Sequence, residues 1–171
     1  MLWSERMYFP RGTVNDFEQD WFGGVLRRMR EPVLEERPAP YFALRILVVP
    51  SWDPPALMRV EYDGTECTRR AVLMRGGTRK TRVDRTTELA SEELAGLLAR
   101  LDRSGYWHLP PSEQINGRDG TMVIVETVQA GGYRVRLRWG PELRSRQRGL
   151  SGFAAFYTEE LFHAGVLFPG R

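Results

Sequence analysis

The sequence Gly131-Gly-Tyr-Arg-Val-Arg-Leu-Arg-Trp-Gly-Pro141 decides how the C-terminal half of this chain is expected to fold. Apolar and arginine side chains alternate along it without a break, and successive residues of a β-strand point to opposite faces of a sheet. We therefore predict a strand with one core face and one cationic face in solvent. The predicted core face carries Tyr133, Val135, Leu137 and Trp139, and the predicted wet face carries Arg134, Arg136 and Arg138.

A second strand is predicted to begin after Gly117-Arg-Asp-Gly-Thr121 and to pair with the first as a β-hairpin. The length of the connecting loop decides which way Glu126 faces, because a shift of one residue reverses every side chain. A three-residue loop pairs Glu126 with Arg136, whereas a two- or four-residue loop turns Glu126 inward with Leu137. An inward carboxylate is a candidate general base, and an outward one forms a cross-strand ion pair.

The remaining segments predict a single α+β domain over residues 1–171, with a mainly antiparallel sheet of about six strands and about three helices covering one face. Residues 1–40 form an N-terminal helix and a proline-rich connector, 41–90 a strand meander, and 91–171 a helix, the hairpin and a C-terminal helix. Strand 41–49 is apolar on both faces except for Arg45, which indicates a central position.

The N-terminal helix is predicted over residues 16–30, where apolar residues recur at spacings of three and four. Asn15 and Glu18 are placed to form a capping box at its start. The stripe predicted to be buried contains Phe17, Trp21, Val25 (or Leu26) and Met29, and we also expect Trp107 and Trp139 in the core.

Charge is distributed unevenly along the chain, although the formal net charge is only +3. Residues 1–66 carry 8 Arg and 11 acids, a net −3, whereas residues 67–171 carry 16 Arg, one Lys and 11 acids, a net +6. Such a basic half can attract an acidic protein, nucleic acid or another anionic surface, although a solvated face is the simpler interpretation.

Several classes of protein are excluded or disfavoured by what the chain contains. The single cysteine, Cys67, allows neither an intramolecular disulfide nor a cysteine-based metal site. No apolar run approaches the roughly 20 residues that span a bilayer, and no signal peptide is recognisable. We therefore expect a soluble, cytoplasmic protein that does not bind membranes.

No motif in the sequence predicts catalysis or a cofactor. His108 and His163 lack the spacing of a metal site, and neither a P-loop nor a nucleophile elbow occurs. We therefore assign no catalytic residue, no metal ligand and no cofactor. Trp52 and Asp53 lie in Pro50-Ser-Trp-Asp-Pro-Pro55, where the prolines are expected to stiffen a loop that presents an aromatic ring to a partner.

A dispersed motif in the second half resembles a group of small uncharacterised bacterial proteins. It comprises Trp107-His-Leu-Pro110, Asp119-Gly-Thr121, Glu126, Gly131-Gly-Tyr133 and Arg138-Trp-Gly-Pro141. The resemblance covers roughly three quarters of the chain and implies a shared fold, but it brings no activity with it. Val123, Thr127 and Arg134 stand where that pattern has Trp, Gly and His.

These features lead to three hypotheses about function. The first is a non-enzymatic protein-binding module, by analogy an immunity or inhibitor protein that occludes a toxin or effector, with Trp52, Asp53, Glu126 and the three hairpin arginines as binding residues. The second is a nucleic-acid-binding protein that uses the arginine-rich sheet face. The third is a hydrolase or transferase built around Glu126 with Asp119 or His108.

Overall fold

Six strands and three α-helices follow one another along the part of the chain that the computed structural model describes, residues 7–76, 80–115, 117 and 119–167. The strands are β1 (Phe42–Pro50), β2 (Ala56–Tyr62), β3 (Cys67–Met74), β4 (Thr81–Glu88), β5 (Thr121–Gln129) and β6 (Gly132–Trp139). The helices are α1 (Asp16–Arg28), α2 (Ser91–Arg103) and α3 (Ser151–His163). The predicted α+β class is confirmed, and the bounds agree with the predicted ones within a few residues.

All six strands belong to one sheet, in the order β4-β3-β2-β1-β5-β6, and each neighbouring pair is antiparallel. The first four strands form the predicted meander. The chain then leaves the β4 edge through α2 and a 3₁₀ turn at Tyr106–His108, and returns as β5 beside β1. Strand β1 is therefore interior, as its apolar sequence predicts, and all its residues except Pro50 are buried.

The hairpin between β5 and β6 has a two-residue loop, which is one of the two loop lengths predicted to turn Glu126 inward. Gln129 pairs with Gly132, which leaves Ala130 and Gly131 as the loop, and Glu126 pairs with Val135. Because directly paired residues point to the same face, Glu126 lies on the face that holds Val135 and Leu137. The structure thus settles the register that the sequence leaves open.

Helices cover both faces of the sheet, so the expectation that they cover one face needs correction. Leu44 and Ile46 of β1 pack in a core with α2 and α3, whereas Leu47 and Val49 of the same strand pack in a second core with α1. The physical reason lies in β1, because a strand that is apolar on both faces requires cover on both.

The buried face of α1 also differs from the predicted stripe. The helix buries Phe22, Gly23, Val25 and Leu26. The side chains of Phe17 and Trp21 are instead 70% and 41% exposed. A Cβ at position 23 would lie 3.3 Å from Cδ2 of Tyr8, so the glycine side of the helix packs closely against the Tyr8 ring.

Both ends of α1 have defined hydrogen bonds. At the start, the predicted capping box is present: Glu18 N donates to the Asn15 side chain at 2.8 Å, and Asn15 N donates to the Glu18 carboxylate at 3.0 Å. At the end, Arg30 adopts a left-handed φ of 56°, and Glu31 N donates to Leu26 O at 3.0 Å. This reversal turns the chain from the helix axis toward the sheet and places Glu31 against it.

The left-handed conformation at position 30 gives a first prediction, because glycine adopts it without the steric cost that arginine incurs. We expect Arg30→Gly to raise the free energy of unfolding by about 0.5–1 kcal/mol in urea denaturation. Arg27→Gly is the matched control, since it places glycine within the same helix and should lower that free energy by about 1 kcal/mol. A loss of stability in both variants would contradict the strain at Arg30.

Candidate functional site

Three arginines lie side by side on the sheet face that α1 covers. Arg45 of β1 pairs directly with Arg59 of β2, and Arg59 pairs directly with Arg70 of β3. Neighbouring strands lie only about 4.8 Å apart, and like charges in directly opposed positions destabilise a sheet. Arg45 is completely buried. The three guanidinium groups therefore require negative partners within the protein.

Glu31 supplies a carboxylate to all three arginines. Its Oε2 lies 3.0 Å from Nε of Arg59 and 3.5 Å from Nη1 of Arg45, and its Oε1 accepts from Nη1 of Arg70. The Glu31 side chain has no exposed surface. Arg70 also donates from Nη2 to Met29 O at 2.7 Å, at the C-terminal end of α1, where the helix dipole favours a cation.

Three further acids complete this arrangement, one beside each arginine. Asp84 of β4 accepts from Arg70 at 3.0 and 3.1 Å, Glu61 accepts from Arg59, and Glu126 of β5 accepts from Arg45 at 2.6 and 2.8 Å. We name these seven residues the ionic row: Glu31, Arg45, Arg59, Glu61, Arg70, Asp84 and Glu126. The row joins β4, β3, β2, β1 and β5 to the segment after α1.

Glu126 lies where it cannot act as a general base. Both carboxylate oxygens bind Arg45, and Oε1 also accepts from the Tyr133 hydroxyl at 2.8 Å. The residue has no exposed surface, and although a cavity of about 320 Å³ reaches the Tyr133 ring, Glu126 does not line it. Neither Asp119 nor His108 bonds to this carboxylate among the described residues. The geometry thus gives no support to a hydrolase or transferase centred on Glu126.

Burial and charge shift the pKa values of the groups around Glu126. Burial lowers the pKa of Arg45, but the adjacent Glu126 carboxylate more than offsets this effect, and the net pKa is raised. Burial and the same carboxylate raise the pKa of Tyr133 well above its usual value. Burial also raises the pKa of Tyr106 to about 12. These groups therefore stay protonated throughout the physiological pH range.

The hairpin arginines are not the wet cationic row that the alternation predicts. Arg136 is 8% exposed and Arg138 is 1% exposed, while Arg134 is partly exposed. The apolar residues Val135 and Leu137 on the opposite face are buried as predicted. The alternation correctly predicted which side chains of β6 share a face. The segment between α2 and β5, however, covers the face that carries the arginines.

Arg136 and Arg138 serve the backbone of that covering segment. Arg136 donates to Tyr106 O at 3.2 Å and to Val135 O at 2.8 Å. Arg138 donates to Pro110 O and to Leu137 O, both at 2.6 Å. Burial lowers the pKa of both guanidinium groups, and Glu113, whose carboxylate lies 3.7 Å from Nε of Arg138, offsets only part of this effect for Arg138. The carbonyls replace part of the water that each group has lost.

The same contacts close the outer edge of the sheet. Leu137 N, on the side of β6 that has no strand neighbour, donates to Pro111 O at 2.8 Å. The carbonyls of Val135 and Leu137 accept from the folded-back arginines. Free backbone N–H and C=O groups on an edge strand can pair with other chains. In this sheet, arginine side chains and the segment between α2 and β5 bind some of those groups on β6.

Trp52 is the most exposed large apolar side chain among the described residues, at 83%, and Asp53 beside it is also exposed. The loop that carries them is fixed at one end, where Ser51 N donates to Gly120 O at 2.8 Å and Gly120 N donates to Ser51 Oγ at 3.1 Å. At the other end, Met74 N donates to Pro55 O at 3.0 Å. The structure therefore presents Trp52 in solvent on an anchored loop.

Trp107 and Trp139, the two tryptophans outside α1 that are predicted to lie in the core, are only partly buried. Trp139 is half-buried, and its indole occupies the space above Gly120, where a Cβ would lie 2.5 Å from Nε1 of Trp139. Trp107 is also half-buried, and the guanidinium of Arg134 lies 5.4 Å from its ring centre. Trp139 thus supports the turn that anchors Ser51, and hence the Trp52 loop.

Comparisons with protein-family models, with curated proteins and with solved structures find no match. The resemblance to small bacterial proteins stays a prediction. Within the described ranges, no group of three or more His, Cys, Asp or Glu side chains is placed to hold a metal ion. No helix in those ranges is both long enough and apolar enough to cross a bilayer.

The sequence patterns did not predict the ionic row, although one feature of the sequence points to it. Arg45 interrupts a strand that is otherwise apolar, and a charge predicted to be fully buried requires a partner of opposite charge. Glu31, at the end of α1 and before Pro32, has no such signal, because its position depends on how the helix packs on the sheet.

Removing the shared carboxylate gives the second prediction. Glu31→Gln keeps the side-chain size but leaves three adjacent guanidinium groups with less compensation, so the free energy of unfolding should fall by about 3–5 kcal/mol in urea denaturation. The control is Glu92→Gln on the exposed first turn of α2, for which we expect a change below about 0.5 kcal/mol. Similar small losses in both variants would show that Glu31 does not hold the row.

The raised tyrosine pKa values give the third prediction. Unfolded tyrosines ionise near pH 10, whereas Tyr106 and Tyr133 keep their protons in the fold, so the free energy of unfolding should fall as pH rises from 10 to 12. In Tyr133→Phe the slope should be shallower by up to about 1.4 kcal/mol per pH unit. Urea denaturation at a series of pH values measures this slope, with Tyr62→Phe as the control. Equal slopes in the unaltered protein and in both variants would contradict the raised pKa of Tyr133.

Proposed function

We propose that this protein is a non-enzymatic protein-binding module and that the loop between β1 and β2 is its contact surface. The observation that carries the proposal is the Trp52 side chain, 83% exposed on a loop with both ends hydrogen-bonded to neighbouring elements. Tryptophan is enriched among the residues that dominate binding energy at protein interfaces. A large apolar ring held in water has no stabilising role in the isolated fold.

The stiffness of the loop favours binding to a preformed pocket. Pro50, Pro54 and Pro55 fix three backbone φ angles, and Ser51 ties the loop to Gly120. Association costs free energy for every flexible segment that must be ordered, and a loop that is already ordered avoids part of that cost. This is the property expected of an inhibitor or immunity protein that fills the active site of a toxin or effector.

The surroundings of the Trp52 loop bear on the chemistry of the partner. The hairpin between β3 and β4 lies next to Pro54, since a Cβ at Gly76 would be 3.6 Å from its ring. Arg75, Lys80 and Arg82 are exposed on this hairpin, and residues 77–79 between its strands lie outside the described residues. We infer that the partner carries an apolar pocket that accepts Trp52, with a cation beside it that pairs with Asp53.

Nucleic-acid binding has less support. That hypothesis needs the hairpin arginines in solvent, and two of the three, Arg136 and Arg138, are bound to backbone carbonyls inside the protein. The aromatic residues that would stack on bases lie on the opposite face of β6 or against other parts of the fold. Of these three arginines, Arg134 is the one that is partly exposed.

Truncation of the anchor residue gives the fourth prediction. Affinity capture from a lysate of the source organism, with the protein immobilised, should recover a stoichiometric partner, and calorimetry with that purified partner should show Trp52→Ala binding at least 30-fold more weakly, or about 2 kcal/mol. Because Trp52 is exposed, its removal should leave the unfolding midpoint unchanged. Phe162→Ala, which truncates another exposed aromatic side chain on α3, is the matched control.

The proposal is wrong if no stoichiometric partner is captured, or if Trp52→Ala and Phe162→Ala bind the captured partner as tightly as the unaltered protein. A partner that is a nucleic acid, recovered equally well by both variants, would favour the second hypothesis instead.

A further inference from the structure

The outer face of α1 carries two exposed aromatic rings, Phe17 and Trp21, and the Trp21 ring also stacks on the buried Phe22 ring at 4.8 Å. Phe17 is 70% exposed and Trp21 is 41% exposed, and their ring centres lie 5.5 Å apart on successive turns. The core on the other side of the helix is complete without them, since Phe22, Val25 and Leu26 fill it. Exposed aromatic pairs of this kind are characteristic of interaction surfaces.

Gly24 lies one turn further along the same face, and the fold does not require a glycine there. A Cβ at this position would meet only guanidinium atoms of Arg28 and Arg27, at 3.8 and 4.0 Å, which is ordinary contact. By contrast, Gly23 is needed to admit the Tyr8 ring. Glycine inside a helix costs about 1 kcal/mol relative to alanine. Gly24 is partly exposed, and a glycine at such a position leaves room for the close approach of a second backbone once the Arg27 and Arg28 side chains turn aside.

The charged residues on the outer face of α1 indicate which molecule packs against it. The first half of α1 carries exposed Asp16 and Asp20, and the last turn carries exposed Arg27 and Arg28. In an antiparallel pair of these helices that crosses at Gly24, Asp20 lies opposite Arg28 of the second copy, and Trp21 lies opposite its Arg27. A two-fold axis repeats both contacts, so the face is complementary to itself.

We propose that two copies of this chain associate through antiparallel packing of their α1 helices, centred on Gly24. The Phe17 and Trp21 rings are then covered, Asp20 and Arg28 pair twice, and Arg27 lies over Trp21 of the other copy. A 13-residue helix is about 20 Å long, so the contact is smaller than a standard interface. The dimer is therefore weak, with a dissociation constant in the micromolar range, and sensitive to salt.

This dimer does not depend on the proposed binding function, because it uses no residue of the Trp52 loop. Trp52→Ala should dimerise as the unaltered protein does, and loss of partner binding in that variant should leave α1 pairing intact. The two proposals therefore fail separately.

Sedimentation velocity of the full chain from about 5 to 300 µM tests the proposal at low and high salt. The unaltered protein should shift from monomer to dimer as concentration rises, and the shift should weaken at 500 mM NaCl. Asp20→Arg and Arg28→Asp should each weaken self-association at least 10-fold, since each places like charges together twice. An equimolar mixture of these two variants should dimerise again, because both contacts then join opposite charges.

Circular dichroism verifies that each variant is folded, and Gly24→Gln supplies a test that does not alter charge. Glutamine restores helix propensity, so its unfolding midpoint should rise while its self-association falls at least 10-fold. Phe162→Ala, on the apolar groove of about 520 Å³ along α3, is the control and should dimerise normally.

Four results would overturn the proposal. The first is a monomer at every concentration, and the second is a dimer that Gly24→Gln leaves intact. The third is a mixture of the two charge variants that stays monomeric although both are folded. Loss of the dimer in Phe162→Ala would place the interface on α3 and would likewise overturn it.

Discussion

The contact of one buried carboxylate, that of Glu31, with three adjacent guanidinium groups is the constraint on which the rest of this structure depends. Arg45, Arg59 and Arg70 occupy directly paired positions on neighbouring strands, an arrangement that repels unless negative charge lies between them. Glu31 comes from outside the sheet, at the reversal that ends α1. The helix is thereby fixed to the sheet by charge as well as by its apolar face, and the register of three strands is fixed with it, because a shift of one residue would turn the arginines away.

Arginine has two structural roles in this fold besides any part in binding. In the ionic row it is matched by carboxylates, whereas on the hairpin Arg136 and Arg138 donate mainly to backbone carbonyls of β6 and of the connector before β5, and Arg138 also lies 3.7 Å from the Glu113 carboxylate. The planar guanidinium suits both tasks, since it offers five donors in a fixed geometry and retains its charge when buried. The chain is rich in arginine and has a single lysine, and these contacts give a physical reason for arginine at the buried positions.

The fold was predictable from the sequence where local pattern decides structure. The apolar run of β1 and the capping box of Asn15 and Glu18 each predicted what the structure shows, and alternation along β6 predicted the strand and the burial of Val135 and Leu137. The pattern failed where a distant segment decides. The ring of Tyr8 packs against α1 at Gly23, on the side of the helix away from the exposed Trp21, and the connector after α2 covers arginines that their own strand leaves open. Of the candidate binding residues, Trp52 and Asp53 lie on the surface as expected, and Glu126 is internal because a two-residue loop sets its register.

The ionic row also restricts how the sequence can change over time. A substitution that removes Glu31 leaves unbalanced charge under α1, and one that removes Arg45 leaves Glu126 with only the Tyr133 hydroxyl. Each single step is therefore costly, whereas an exchange of the whole set for apolar residues of similar volume is tolerated by other protein interiors. Positions 31, 45, 59, 70 and 126 should accordingly vary as a block among descendants of this chain, with either all of the charges kept or all of them lost.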